Sequence, residues 1–433
     1  MRAILDFSSP VRSASRERRR LNWLAVAVDL GLLLLLGVLF WWALGFVQIG
    51  GAERLRLVRV WLIIGVFSGL LSRSHFQRTL LQRRQASLYI PVWAFFIAAL
   101  TFMALGWTAA LPLLLSLHTV WLILIAVALW FLHRMDPPLC LGVLSGAPAV
   151  PDNAGPQLFH PRLRYVLISP HQPGTLSQVD GILLNTDVYL QPDQQRLIEH
   201  ARVTKLPVWS KNLLDEELSG KVSLDLVHRD WLDETTFYSS YMLVKRGLDV
   251  ALTLVLLPVL LPLMGLVALV VLFNSGRPIL FWQERVGKDG VPFRIVKFRT
   301  MTRDSERSGP AFAQHGDLRV TPVGAFLRKF RLDELPQFWN VLTGDMSIIG
   351  PRPEQWAFAA DFEESIPLYA TRHWVRPGIT GWAQVNQGYA ADVGQTVEKL
   401  RYDFYYVKHL SLQLDLLIVF KTIQTILTGF GAR

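Results

Sequence analysis

Val250–Phe273 reads VALTLVLLPVLLPLMGLVALVVLF, a run without one charged side chain. A membrane span needs ~20 apolar residues, so the run is long enough to cross a bilayer. Two features point the other way. Pro258 and Pro262 each remove a helix hydrogen bond and break a straight helix. Lys245 and Arg246 precede the run, and Arg277 and Arg285 follow it, so both flanks prefer the cytoplasm. Two architectures stay open on these grounds. One is a kinked span, which neighbouring groups can tolerate. The other is a re-entrant helical hairpin whose two ends lie on one side.

Upstream, four more apolar segments open the chain, at about Leu24–Val47, Leu57–Leu71, Leu88–Trp107 and Ala110–Leu132. Loop charge orients them. Arg12, Arg16, Arg18, Arg19 and Arg20 precede the first, and Arg73, Arg78, Arg83 and Arg84 lie between the second and third. The turn after the third has no Lys or Arg, so the N-terminus is placed in the cytoplasm. Arg54, Arg56 and Arg59 in the first loop pull against this. Trp41, Trp42, Trp93, Trp107 and Trp130 sit near segment ends, as an aromatic belt does. The basic start has no small-residue cleavage site after it and reads as an uncleaved anchor.

Composition agrees with a membrane protein. The 433 residues are 51% hydrophobic and 18% charged, with mean hydropathy +0.31. The net charge of +10 fits anionic lipid or phosphate substrates. No nucleic-acid recognition motif or zinc-ligand pattern appears, so no nucleic acid partner is expected. The single cysteine, Cys140, excludes an intrachain disulfide and reads as a small hydrophobe in a strand.

Between Met135 and Asp233 the sequence turns soluble. Pro137, Pro138, Pro148, Pro151 and Pro156 mark a linker and loops. Tyr165–Ile168, Gly181–Leu184, Pro207–Trp209 and Leu224–Val227 read as short strands, and Pro192–Val203 as a helix. The alternation predicts a small α/β module with a parallel sheet. It has no G-x-G-x-x-G, and His160, His171, His200 and His228 lack metal-ligand spacing.

Downstream of Phe273 lies the chemistry. RPILFWQERVGKDGVPFRIVKFRTM, from Arg277, alternates apolar runs with Gly287 and Gly290 turns, as in a hairpin presenting Lys297 and Arg299. Then comes Arg331-Leu332-Asp333-Glu334-Leu335-Pro336-Gln337, two adjacent carboxylates among many cations. Arg294, Arg303, Arg319, Arg328 and Lys329 precede it, and Arg352, Arg372 and Arg376 follow. Cations neutralise phosphate, while carboxylates can hold Mg²⁺ beside substrate phosphates or attack as nucleophiles. On a helix, Asp333 and Glu334 point about 100° apart, so both can border one cluster in different roles. Two acids favoured by a helix dipole is the plainer reading. Gly350-Pro351-Arg352-Pro353 stiffens the backbone around a guanidinium. Arg376-Pro377-Gly378-Ile379-Thr380-Gly381-Trp382-Ala383-Gln384 adds a Pro/Gly loop with donors. Leu412–Leu427 fits an interfacial helix or a core-packing one equally.

Taken together, these segments resemble the monotopic polyprenyl-phosphate phosphoglycosyl transferases among bacterial sugar transferases. The resemblance covers about Tyr241–Arg433. It runs through Lys245-Arg246, Asp249, Gln283, Arg285, Gly287 and Lys297-Phe298-Arg299-Thr300-Met301. It continues through Arg319-Val320-Thr321, Leu332–Gln337, Gly344-Asp345-Met346-Ser347, Pro351-Arg352-Pro353, Arg376–Trp382 and Tyr402-Asp403.

The resemblance implies that Asp333 attacks the β-phosphate of a UDP-sugar and that Glu334 binds Mg²⁺. Undecaprenyl phosphate then takes the sugar-1-phosphate, and UMP is the released product. Glucose is the favoured sugar, ahead of galactose and then an N-acetylated sugar. Lys297, Arg299, Arg328, Arg352, Arg376 and Gln384 are the expected phosphate and substrate contacts. Lys245, Arg246, Asp249, Pro262, Pro336, Pro351 and Pro353 are expected to shape the domain. The family's helix is re-entrant and bends at Ser-Pro, where this chain has Leu261-Pro262. Gln387-Gly388 follows Asn386 where glycine is usual, which bears on donor preference.

The expected fold is therefore a membrane protein with an α-helical N-terminal bundle (1–134), a Rossmann-like α/β cytoplasmic module (135–235) and a mainly α monotopic catalytic domain (241–433). The last carries a re-entrant membrane helix at about 250–273. The expected location is the bacterial inner membrane, with N-terminus and catalytic domain on the cytoplasmic side. A homo-oligomer, such as a dimer, and polysaccharide assembly proteins are the expected partners. The competing expectation is an inactive membrane scaffold of such an assembly, against which the intact Asp333, Glu334, Arg352 and Lys297 argue.

Overall fold

A computed structural model describes residues 14–46, 49–73, 93–94, 97–99, 101–135, 138–144, 163–169, 176, 179–184, 190–222, 224, 238–302, 317, 319–387 and 393–428. Arg12, Arg78, Arg83, Arg84, Pro137, Pro148, Pro151, Pro156, His160, His171, His228, Arg303 and Gly388 lie outside the described residues, as does part of Leu88–Trp107. The chain divides into two compact units, Met1–Gly220 and Lys221–Arg433.

The first unit begins with α1 (Ala14–Ala43), α2 (Gly51–Arg73) and α3 (Leu111–Met135). Their core is Leu33, Phe40, Trp61, Phe102 and Trp121. α1 and α2 approach closely at Gly65, where an added Cβ would stand 2.5 Å from Leu33 Cδ2. Small residues at helix contacts allow such approaches. Outward-facing Leu34, Val38, Trp42, Ile63 and Phe67 are exposed, the reverse of a soluble bundle. Leu111–Ala128 is long and apolar enough to cross a membrane, and Ala27–Ala43 is a shorter apolar stretch. Arg54, from the first loop, is engaged locally. Its Nε donates to the Ile49 carbonyl at 2.5 Å, and its guanidinium lies 6.0 Å from the Trp41 ring.

The same unit contains a four-stranded parallel sheet in the order β2-β1-β3-β4. The strands are β1 (Leu139–Leu144), β2 (Leu163–Ile168), β3 (Gly181–Leu184) and β4 (Val208–Ser210). Helices α4 (Pro192–Val203) and α5 (Lys211–Ser219) cover opposite faces. Leu197, Ile198 and Ala201 pack on Leu144, Ile168 and Ile182, whereas Leu214 packs with Leu141, Leu163 and Trp209. The sequence places three of these strands; for β1, one of the two central ones, it gives only Cys140 as a strand residue, in a stretch otherwise marked by prolines as linker. Cys140 is buried within it, as expected of a small hydrophobe. Of the expected Leu224–Val227 strand only Leu224 is described, and it is not in a strand.

In the second unit, α6 (Tyr238–Ser275) runs for 38 residues through both Pro258 and Pro262. No helix break occurs at Leu261-Pro262. At ~1.5 Å per residue such a helix measures about 57 Å along its axis. Its two ends are held by the same unit. Near the start, Asp249 accepts from Ser347 Oγ at 2.7 Å and from the Ile348 N–H at 3.2 Å. Arg246 donates to the carbonyls of Val341 and Leu342, at the last turn of α8 (Gln337–Thr343), where a cation suits the helix dipole. Near the finish, Val267 and Val271 pack on Phe298 and Leu327. Between these ends, Leu254, Val255, Val259 and Leu261 are exposed.

The hairpin β5 (Leu280–Val286) and β6 (Pro292–Phe298) follows as its sequence predicts, with Gly290 at φ +77° in the turn. Next come α7 (Pro322–Lys329), a 3₁₀ turn at Leu332–Glu334, α8, β7 (Ser347–Ile349) and α9 (Trp356–Ser365). A second 3₁₀ segment (Tyr369–Trp374) leads to β8 (Gly378–Thr380), which pairs parallel with β7. α10 (Trp382–Asn386), α11 (Val393–Lys408) and α12 (Leu412–Thr428) close the unit. α12 buries Leu414, Leu417 and Ile418 and leaves Leu412, Ile423 and Leu427 exposed. Its Asp415 accepts from Tyr241 and Lys245 of α6, each at 2.7 Å, and from Tyr406 at 2.8 Å. That fastens the first turns of the long helix to the C-terminal helix.

Candidate active site

Asp333 and Glu334 sit in a tight 3₁₀ turn, not an α-helix. Arg331 before them adopts the left-handed region at φ 55°. Pro336 follows and then α8 begins. Both carboxylates are nearly buried, at 8% and 5% exposure. A buried carboxylate without partners is costly, so the surroundings decide each one's state.

The two surroundings differ. Glu334 Oε1 accepts from Lys297 Nζ at 3.0 Å and from Arg352 Nη2 at 2.8 Å, while Arg331 stands 3.7 Å from Oε2. Oε2 itself is buried and makes no hydrogen bond among the described residues. Burial pushes Glu334 up, but Arg352, Lys297 and Arg331 outweigh it and hold the carboxyl well below its usual range. Asp333 makes no side-chain hydrogen bond among the described residues. Burial and the neighbouring Glu334 charge raise its pKa, against the pull of Lys297, Arg328 and Arg352. Burial also lowers the Lys297 pKa, with Glu334 opposing. Arg352 is raised by Glu334. The turn thus offers one carboxylate surrounded by cations and one unengaged, within an excess of positive charge that suits a polyphosphate.

Each cation reaches the site from a different element. Lys297 projects from β6, whose register with β5 is fixed from Leu280↔Phe298 to Val286↔Pro292. Arg352 comes from the Pro351–Pro353 loop after β7. Arg328, in the last turn of α7, donates from Nε to Thr300 Oγ1 at 2.9 Å.

The other expected contacts lie with backbone carbonyls. Arg299 Nη2 donates to the carbonyls of Ser275 and Gly276, capping the end of α6. Arg376 Nε donates to the Gly344 carbonyl at 2.9 Å, and Arg376 lines a small pocket with Met242, Lys245, Arg246 and Ser347. Gln384 is buried and donates to the Ile379 carbonyl at 3.1 Å. Lys245, Arg246 and Asp249 make the helix contacts described above. Arg372 was read in the sequence only as one more cation. It is buried behind the Arg352 loop, with Asp403 at 2.8 Å.

The bacterial sugar transferase family matches residues 240–429. The chain is 46% identical over 279 residues to an Aeromonas hydrophila protein named UDP-N-acetylgalactosamine-undecaprenyl-phosphate N-acetylgalactosaminephosphotransferase, covering 64% of this chain and 66% of that protein. It is 38% identical over 218 residues to an Escherichia coli K12 UDP-glucose:undecaprenyl-phosphate glucose-1-phosphate transferase, covering 50% of this chain and 46% of the relative. A Bacillus subtilis 168 protein named as a putative undecaprenyl-phosphate N-acetylgalactosaminyl 1-phosphate transferase is 42% identical over 155 residues, which is 36% of this chain and 86% of the relative. The chain spans less than two thirds of the length of the first two.

Proposed function

This chain belongs to the bacterial sugar transferase family, and on that premise we propose that it moves a sugar-1-phosphate from a UDP-sugar to undecaprenyl phosphate. The observation that carries the reading is the asymmetry of the dyad: Glu334 holds two cations by hydrogen bonds and Asp333 holds none. The free carboxylate is the attacking one. An Asp333 oxygen bonds to the β-phosphorus while that phosphorus releases the oxygen shared with the α-phosphate, and UMP leaves with the electron pair. A phosphate oxygen of the lipid then attacks the same phosphorus and the aspartyl bond breaks. Lys297, Arg328 and Arg352 offset the repulsion between carboxylate and diphosphate. An arginine in that position is worth on the order of 10³–10⁵ in rate in analogous phosphoryl transfers.

Glu334 fits as the protein ligand of Mg²⁺, because its Oε2 is buried without a hydrogen bond. Among the described residues no group of three or more His, Cys, Asp or Glu gathers to hold a metal, so the remaining ligands would be donor phosphate and water. Held there, Mg²⁺ would supply charge neutralisation on the diphosphate.

The lipid acceptor fits α6 as a re-entrant helix. Both ends contact the same unit, and the apolar middle faces outward. Because the helix runs unbroken through Leu261-Pro262, re-entry requires it to bend, and Pro258 and Pro262 supply the positions for a kink. The apolar helices of the first unit fit an N-terminal four-span anchor in the inner membrane, with the catalytic unit on the cytoplasmic side. Single cysteine reporters at Leu243 and Asn274 test the hairpin. Labelling of both by an impermeant reagent only from the cytoplasmic face is expected, and labelling from opposite faces refutes it.

Relatives are named for both glucose and N-acetylgalactosamine, so UDP-glucose and UDP-N-acetylgalactosamine lead the donor panel. The test is UMP release by the protein in nanodiscs with Mg²⁺, undecaprenyl phosphate and each donor. Release that depends on one sugar and on Asp333 is expected. Absence of UMP from every donor, with the protein folded, refutes the reading.

A further inference from the structure

Arg352 lies between two prolines, so its neighbours offer no N–H to a sheet ladder. The loop carbonyls are nevertheless all engaged. Pro351 O accepts from the Gly378 N–H at 2.9 Å and Glu354 O from the Val286 N–H at 3.0 Å. The two carbonyls between them accept from side chains. Arg372 Nη2 donates to Arg352 O at 2.9 Å, and Arg285 Nη1 donates to Pro353 O at 3.1 Å. Two arginines thus do for this loop what a strand partner does elsewhere.

Arg372 is itself fixed. Its side chain is 2% exposed, and Asp403, at 1%, lies 2.8 Å from Nη2. Nη1 donates to Tyr369 Oη at 2.7 Å, and Glu354 stands 3.9 Å away. Lys399 pairs with Glu354. Each buried charge has an opposite neighbour, as burial demands. Such a cluster is expensive to assemble where apolar packing would serve. A planar fork, however, can meet a carbonyl, a hydroxyl and a carboxylate at fixed angles, which an ammonium cannot do.

We propose that Arg372, assisted by Arg285, is a positioning residue for Arg352: it holds the backbone of the Pro-Arg-Pro loop so that the guanidinium in front meets the donor diphosphate. The role of Arg352 rests on the transferase reading above, whereas the holding of the loop does not. A group misplaced by about 1 Å can cost on the order of 10² in rate. Arg372→Lys keeps the charge that Asp403 and Glu354 need but loses the fork.

The test is a double-mutant cycle on kcat/KM for the UDP-sugar, using wild type, Arg372→Lys, Arg352→Ala and the double variant of the full chain in nanodiscs. Arg372→Lys is expected to lose about 10–100-fold in the wild-type background and less than about threefold in the Arg352→Ala background. An equal loss in both backgrounds marks a merely structural role and overturns the proposal, as does no loss in either. Hydrogen exchange of peptides covering 350–355 gives a readout independent of turnover. Exchange at least about tenfold faster in Arg372→Lys is expected, and unchanged exchange overturns the proposal. Should Arg372→Lys fail to fold, Tyr369→Phe replaces it, with a loss of a few fold that vanishes when Arg352 is absent. If the wild type releases no UMP from any donor, the transferase reading fails, and exchange alone decides whether Arg372 holds the loop.

Discussion

Glu334→Gln isolates what the charge on one oxygen does. The side chain keeps its size and one acceptor, but Lys297 at 3.0 Å, Arg352 at 2.8 Å and Arg331 at 3.7 Å lose their counter-charge. One charge 3 Å away contributes about 5 kcal/mol gross at an effective dielectric constant of ~20. Removing one partner of a buried pair costs about 3–5 kcal/mol net. That cost falls on folding; for the reaction, a loss on the order of 10²–10³ in kcat/KM is expected, the scale for removing one electrostatic contact in an active site. A second effect has a definite sign. Burial lowers the Lys297 pKa and Glu334 is the main group opposing it. Without the carboxylate, Lys297 gives up its proton at lower pH, so the alkaline limb of the pH–rate profile moves toward acid. The Mg²⁺ concentration for half-maximal rate rises at least about tenfold. UMP release across pH and Mg²⁺ concentration reads all three. A variant with an unmoved alkaline limb and unchanged Mg²⁺ dependence refutes both the metal role of Glu334 and its hold on Lys297.

Asp333→Asn is expected to abolish UMP release and the phosphosugar adduct on the protein, read by intact mass after incubation with donor alone; an adduct on the variant places the nucleophile elsewhere. In wild type, the acid limb of the pH–rate profile lies above the ordinary aspartate range, because burial and Glu334 raise Asp333 and the acid form cannot attack; a limb at ordinary aspartate pH contradicts this. Arg246→Ala strips the Val341 and Leu342 carbonyls of their donor and costs about 1–3 kcal/mol, read as a melting temperature lower by several degrees. Gly65→Val forces side chain into Leu33 and destabilises the first unit by about 1–3 kcal/mol, visible as earlier thermal unfolding in detergent.

Periodicity and turn chemistry made much of this fold readable. The β5–β6 hairpin announces itself through alternation around Gly287 and Gly290, and Pro192 marks the first turn of α4. The extent of β1 around Cys140 escaped for a physical reason. LCLGVL is short and apolar, follows two prolines, and lies between parallel neighbours, so it has no alternation to display. The dyad and its cations were legible as a cluster, but its wiring was not. Charge in a sequence does not say which acceptor claims it. Lys297 and Arg352 go to Glu334, while Arg299 and Arg376 go to carbonyls that only the folded chain brings near. Arg372 gave no signal beyond its charge, because its partners Arg352, Asp403 and Tyr369 converge only on folding.

Lys297 and Arg299 are two residues apart, one on the carboxylate and the other on the last carbonyls of α6. At ~3.3 Å per residue of extended chain, the covalent path between them is about 7 Å. Two backbone steps and one side-chain hydrogen bond at either end therefore join the end of the apolar helix to the carboxylate pair. On the transferase reading, a shift of the helix end would be felt at Glu334, the neighbour of the attacking Asp333, through this one strand. On the same reading, a reactant confined to a sheet of lipid would not need to search along the normal to that sheet, and its encounter with the site would become a problem in two dimensions.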